Sequence, residues 1–221
     1  MSSTSALDVA PDGSPVEVYR RLPAGGEPEL IDAAISAGSD VLDLGAGTGR
    51  LTHGLLALSH RVTAVDQSAE MLRHVRGAET VVADLETLEL GRRFDAVILV
   101  SHFVNDADAR RRRAFLSTCA RHVAQHGVVV IQAYDPDLDW EAARGRERRI
   151  GDVAVRIVAA TTDGRRVDAA VEYEVDGATW RQEFAAEMLD ENDLRRELEA
   201  VGLRFDRWLD RSQGWLLARL I

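Results

Sequence analysis

The stretch Val41 to Leu51, VLDLGAGTGRL, constrains the fold of this chain more than any other. An apolar run carrying one acid, Asp43, breaks into glycines at three alternate positions, Gly45, Gly47 and Gly49, with Ala46 and Thr48 between them. That pattern predicts a buried parallel strand turning tightly onto the N-terminus of a helix. Glycine suits the turn because it reaches φ > 0 without steric cost and leaves space for a ligand against the main chain. A turn of this kind holds a small polar ligand.

Spacing narrows the ligand. A dinucleotide fingerprint runs G-x-G-x-x-G. Gly45 and Gly47 fit it, but the third glycine comes one place early and Arg50 stands where it should be. A carboxylate just before the loop also suits a ligand bearing an ammonium group better than one bearing two phosphates. These residues resemble the first motif of the class I S-adenosylmethionine-dependent methyltransferases, an acidic strand end followed by G-x-G-x-G.

Later residues continue the resemblance in order. A second apolar strand, Val62 to Val65, ends at Asp66, 21 residues beyond Gly45, where a carboxylate can accept both hydroxyls of a ribose. The third, Thr80 to Ala83, ends in Asp84. The resemblance implies S-adenosyl-L-methionine as cofactor, with Asp84 taking the adenine amino group between Ala83 and Leu85. It also adds Gln67 and Met71 beside Asp66. The fourth strand, Phe94 to Val100, matches the family's FD-x-apolar strand and leads into Ser101, His102 and Phe103, where the transferred methyl would lie. Tyr19 and Arg20 are placed to close over the methionine part of the cofactor. A nicotinamide oxidoreductase would share Asp66 but has no requirement for Asp84. A protein that binds the cofactor without transferring its methyl is the other alternative.

Composition bounds the rest. With 221 residues, 46% hydrophobic and 29% charged, the chain suffices for one core. The expectation is a disordered lead-in over 1–15, then a single domain over 16–221 with an inserted β cap at 135–189. A net charge of -10 provides no basic field to neutralise phosphates, which argues against a nucleic-acid substrate. Every one of the 27 basic residues is arginine, so lysine chemistry is excluded. The single cysteine, Cys119, rules out a disulfide framework and a cysteine metal site, and no metal is expected. No apolar run approaches the ~20 residues of a membrane span and the first residues lack the apolar core of a signal peptide. A cytoplasmic location is therefore expected.

Between the motifs, strand and helix patterns alternate: helix near Pro28 to Ala37, strand 40–44, helix 48–58, strand 61–66, helix 68–76. Repeated βα units predict a doubly wound, mostly parallel seven-stranded sheet with ligands at the carboxyl ends of its strands. Arg110 to Arg113 read as the solvated face of a helix starting near Asp108. After Tyr134 the period changes to two, over 153–157, 167–175 and 180–188, interrupted by Asp163-Gly164 and Asp176-Gly177. Two Asp-Gly turns predict an antiparallel meander. A two-residue turn at Asp176-Gly177 pairs Tyr173 with Trp180 on an apolar face. At the first turn the same rule fails, and a three-residue loop with Gly164 as a bulge restores the match. A helix over 191–201 and strands over 203–209 and 215–220 complete the sheet.

The inserted meander resembles the caps of small-molecule methyltransferases. It implies a small-molecule acceptor, met by Tyr134, Trp140 and Trp180, and a surface through which a homodimer can form. Trp208 and Trp215 are the remaining tryptophans. For a hydroxyl acceptor a base is required, and His102 is placed for it, since neutral imidazole is a competent base near physiological pH. Asn105 and Asp106 follow it closely.

Overall fold

The computed structural model describes residues 9–221. Its strands are β1 (Asp40–Leu44), β2 (Arg61–Asp66), β3 (Glu79–Val82), β4 (Phe94–Leu99), β5 (Val123–Gln132), β6 (Glu147–Ile150), β7 (Val153–Asp163), β8 (Arg166–Val175), β9 (Ala178–Glu187), β10 (Leu203–Trp208) and β11 (Trp215–Leu220). The helices are α1 (Val16–Arg21), α2 (Glu27–Asp32), α3 (Arg50–Ala57), α4 (Ala69–Leu72), α5 (Ala109–His122), α6 (Trp140–Ala143) and α7 (Glu191–Glu199). Seven strands form one sheet in the order β10-β11-β5-β4-β1-β2-β3. β1 to β5 are parallel, and β11 and β10 add antiparallel to β5.

β1 and β4 are near-continuous apolar runs because helices cover both faces of the sheet. On one face Leu42, Leu44, Val97 and Leu99 pack with Phe115 and Leu116 of α5 and Leu194 and Leu198 of α7. On the other, Val41, Ala96 and Ile98 pack with Ile31 of α2 and Leu51 and Leu55 of α3. From β1 the chain winds outward to β2 and β3, then returns to β4 on the opposite side. That reversal opens a crevice at the carboxyl ends of β1 and β4.

The inserted cap has four strands, in the order β6-β7-β8-β9; β6, with its Arg-rich sequence, carries no period-two signal. The second turn is as expected, with Val175 opposite Ala178 and Tyr173 opposite Trp180. The first differs. Asp163 pairs with Arg166 across a two-residue loop, and the extra residue sits six positions earlier, between Ile157 and Ala159. A bulge there flips the side-chain parity of β7, so Val155 and Ile157 face Tyr173 and Val171 without lengthening the turn.

Two further expectations are corrected. Within the lead-in, residues 1–8 lie outside the described residues, but 9–15 form an ordered turn. Val9 bridges Pro15, Asp12 accepts from the Ser14 amide and hydroxyl at 3.0 and 2.8 Å, and Ala10 is buried against Val16 and Met71. Of Arg110 to Arg113, Arg112 is 2% exposed, because it reaches Glu187 at the end of the cap and Glu197 of α7. Among the described residues no helix is long and apolar enough to cross a membrane, and no group of three or more potential metal ligands occurs.

Candidate active site

The glycine loop supplies the floor of the crevice. Gly45, Gly47 and Gly49 adopt φ of +75°, +55° and +87°, the left-handed region in which a Cβ is strained. The Gly45 and Ala46 amides both donate to the Val65 carbonyl of β2, at 2.9 and 3.0 Å. A Cβ on Gly45 would lie 2.4 Å from the Phe103 ring, whereas one on Gly47 meets nothing within 4 Å. The open side of the loop is therefore at Gly47.

Asp43 lies behind the loop, 1% exposed. Thr52 of α3 donates to one carboxylate oxygen at 2.6 Å; the other has no partner. Burial pushes its pKa up to about 6 against the opposing Thr52 bond, and nearby Asp66 adds to the rise. A buried carboxylate with one unsatisfied oxygen is costly unless a donor or cation reaches it.

Asp66, at the end of β2, accepts from the Gly47 amide at 2.9 Å and the Ser68 amide at 2.8 Å, one on each oxygen. Each oxygen keeps a second acceptor site. Burial raises its pKa, opposed by those amide bonds. The Asp66 carbonyl takes the Ala83 amide at 3.1 Å, which sets Asp84 next along the same edge. Asp84 is exposed and accepts from the Glu86 amide at 2.8 Å. Gln67 is exposed.

Other expected cofactor residues are placed differently. Met71 is buried beneath Ala10, Val16 and Tyr19. Leu85 and Val100 are buried in the two central clusters, so their side chains serve packing. Arg20 points outward, its guanidinium forked onto Glu17 at 3.0 and 2.8 Å. The cation at the crevice is Arg50, half-buried and ion-paired with Glu27. Gln132 reaches that same Glu27 at 3.4 Å and accepts from the Ser101 amide at 2.9 Å, joining the ends of β4 and β5 to the pair.

His102 follows β4 with φ of 60°, after Ser101 at 56°. Consecutive non-glycine residues in the left-handed region are uncommon, and here they swing the imidazole flat onto Tyr134, with ring centroids 3.8 Å apart and planes 3° from parallel. Trp140 meets Tyr134 edge-on at 5.1 Å, and its indole nitrogen donates to the Met188 sulfur at 3.4 Å. Burial, then the charge of Arg50, depress the His102 pKa to about 4. Asn105 is a structural tie: its amide donates to the Glu187 carbonyl and accepts from the Tyr134 amide, both at 2.9 Å. Asp106 is engaged by Arg111 at 2.6 Å.

Above the crevice stands the inner face of the cap. Trp180 packs with Val18, Val153 and Val175, its indole nitrogen buried without a partner. The chain has three tyrosines and all three converge here. Tyr19 and Tyr173 have ring centroids 6.5 Å apart; burial raises the pKa of all three phenols, and the charge of Tyr19 adds to the rise at Tyr134 and Tyr173. Tyr173 and Gln182, together with Arg50, were not among the residues expected from sequence. The signal for the first two was present: they are polar residues in register with an apolar face. Trp208 and Trp215 belong to the main sheet, away from the cap.

Residues 41–127 match the family model for a methyltransferase domain. The chain carries a methyltransferase domain over that stretch. Among curated methyltransferases, it is 43% identical over 72 residues to ribosomal RNA small subunit methyltransferase A of Anaeromyxobacter sp. (strain K), covering 29% of this chain and 25% of that protein. It is 32% identical over 120 residues to the cypemycin N-terminal methyltransferase of Streptomyces sp, covering 51% and 49%. The chain thus spans between about a quarter and a half of the length of those relatives. A sugar N-methyltransferase from Streptoalloteichus has the same fold, with a TM-score of 0.72 at 18% identity over 100% of this chain and 98% of that one.

Proposed function

We propose that this protein is a methyltransferase that uses S-adenosyl-L-methionine to methylate a small-molecule amine. The observation that carries the reading is the glycine loop at the switch point, flanked by the unpartnered oxygen of Asp43 and by Asp66 with acceptor capacity to spare. The residues fit the cofactor: Asp43 toward an ammonium group, Asp66 toward a diol, Gly47 toward a close approach, Asp84 toward an amine-bearing base. When bound, the sulfonium supplies an already activated methyl group.

What remains for the chain is to hold a nucleophile in line and keep water out, and positioning can supply about 7–11 kcal/mol of the barrier. His102 favours nitrogen over oxygen as the acceptor. With a pKa near 4 it is neutral at physiological pH but too weak a base to take a proton readily from an alcohol, whereas an amine arriving without its proton needs no base. The relatives named for N-methylation point the same way. The expected site thus remains His102, Tyr134, Trp140 and Trp180 for the acceptor, with Tyr19 joining the cofactor residues. A homodimer through the cap would rest on ion pairs, because outward residues such as Glu172, Glu174, Arg181 and Glu183 are charged; sedimentation at two salt concentrations tests it.

Calorimetry with S-adenosylmethionine and NAD, followed by an assay of S-adenosylhomocysteine release with amine and alcohol panels, tests the function. Binding of the first cofactor and release driven by amines are expected. A preference for NAD, or cofactor binding without release on any acceptor, would overturn it.

A further inference from the structure

The inward side chains of β8 and β9 are Val167, Ala169, Val171, Tyr173 and Val175, then Ala178, Trp180, Gln182, Phe184 and Ala186. Its two ends are packed, one around Trp140 and the other around Val18. Between them sit Tyr173 and Gln182, joined to the N-terminal turn by an ordered chain of hydrogen bonds. The Ser14 hydroxyl donates to Asp12 at 2.8 Å, the Gln182 amide nitrogen donates to the Ser14 oxygen at 3.0 Å, and the Tyr173 hydroxyl donates to the Gln182 amide oxygen at 3.3 Å.

The direction of this chain follows from its anchor. A carboxylate only accepts, so Ser14 must give its single proton to Asp12 and can only accept from Gln182. That fixes the Gln182 amide with nitrogen toward Ser14 and oxygen toward Tyr173. The phenol proton is then committed to Gln182, and Tyr173 presents lone pairs and no donor toward the Tyr19 hydroxyl and the space beside Tyr134.

We propose that Tyr173 positions the methyl acceptor by accepting a hydrogen bond from one of its N–H or O–H groups, with Gln182 as the residue that sets the polarity of the phenol. The inference rests on the methyltransferase reading above and adds a recognition residue to it. An N–H bound to Tyr173 leaves the nitrogen lone pair free to turn toward the transferable methyl. During transfer that lone pair forms the N–C bond, the C–S bond electrons return to sulfur, and the surplus nitrogen proton passes to water.

The test uses the full chain, S-adenosylmethionine, and a panel of aminodeoxysugars, simple primary amines and matching polyols. Tyr173→Phe should lower kcat/KM for the acceptor about tenfold or more, mainly through KM, with S-adenosylhomocysteine affinity unchanged. Gln182→Leu should do the same, while Gln182→Glu, which still accepts from the phenol, should retain clearly more activity than Gln182→Leu. If Gln182 only anchored the N-terminal turn, Leu and Glu would be equally damaging, because both lose the bond to Ser14. An unimpaired Tyr173→Phe enzyme, equal damage by the two Gln182 variants, or a cofactor-binding wild type inactive on every amine and polyol would overturn the proposal. Failure of the wild type to bind S-adenosylmethionine would instead remove the methyltransferase reading, and this proposal with it.

Discussion

The imidazole of His102 lies parallel to the Tyr134 ring at 3.8 Å, which ties the end of β4 to the end of β5 at the mouth of the crevice. Burial, then the charge of Arg50, keep His102 neutral down to a pKa of about 4. An enzyme depending on neutral His102 should show kcat level from pH 6 to 8 and falling only toward pH 4. His102→Ala should lower kcat by less than the roughly 10²-fold that marks acid–base groups, since an amine acceptor needs no base, with cofactor affinity intact. A fall centred near pH 6.5 would show an ordinary exposed histidine instead. Stability has a matching sign: the unfolded state takes up the proton first, so His102 costs stability as pH falls from 6.5 through 4, and denaturant midpoints of His102→Phe should lose that slope.

Asp43 works in the opposite sense. Its pKa is raised to about 6, so the protonated form favours folding, and that benefit, complete below pH 3.8, is lost as pH rises through 6. Asp43→Asn should therefore stabilise the ligand-free protein at pH 8, by up to about 3 kcal/mol, while weakening S-adenosylmethionine binding. Urea unfolding and calorimetry on the same samples measure both. A variant that loses stability as well would mean that the unpartnered oxygen is not a cost the fold bears for a ligand.

Asp66 accepts two main-chain amides in addition to any ligand. Asp66→Ala should reduce S-adenosylmethionine affinity ten- to a hundredfold, equivalent to charge-assisted bonds of roughly 1.5–3 kcal/mol, and should also lower the thermal midpoint by freeing the glycine loop. NAD should bind neither form.

Arg50 and Arg20 should separate cleanly. Arg50→Met removes the half-buried cation of the crevice and should weaken S-adenosylhomocysteine binding by about tenfold, with little effect on 5′-methylthioadenosine, which lacks the carboxylate. Arg20→Ala breaks an exposed pair with Glu17, worth about 0–1 kcal/mol, and should change neither affinity.

The glycines should rank by surroundings. Gly47→Ala has open space but a φ of +55°, a strain of roughly 1–2 kcal/mol. Gly45→Ala adds a 2.4 Å approach to the Phe103 ring and should be the more destabilising in urea. Phe103→Ala should recover part of that difference and none of the backbone strain.

The sequence by itself determined the parallel sheet, the glycine loop and the acids at the strand ends. These depend on local rules: a twofold-covered strand must be apolar throughout, a tight turn needs residues free at positive φ, and period two with Asp-Gly marks a hairpin. Tertiary structure decided what each side chain meets. Arg20 was expected over the cofactor and Arg50 was not, and only packing sends the first outward to Glu17 and the second into the crevice. The position of the extra residue in β7 was not legible because Val158-Ala159-Ala160-Thr161-Thr162 carries no apolar–polar alternation to mark where the parity changes. Residues 9–15 read as an unstructured lead-in because their order comes from Met71 and Gln182, far away in the chain. Buried polarity and the pKa values of Asp43 and His102 are likewise sums over neighbours from several elements, and no single window of sequence contains them.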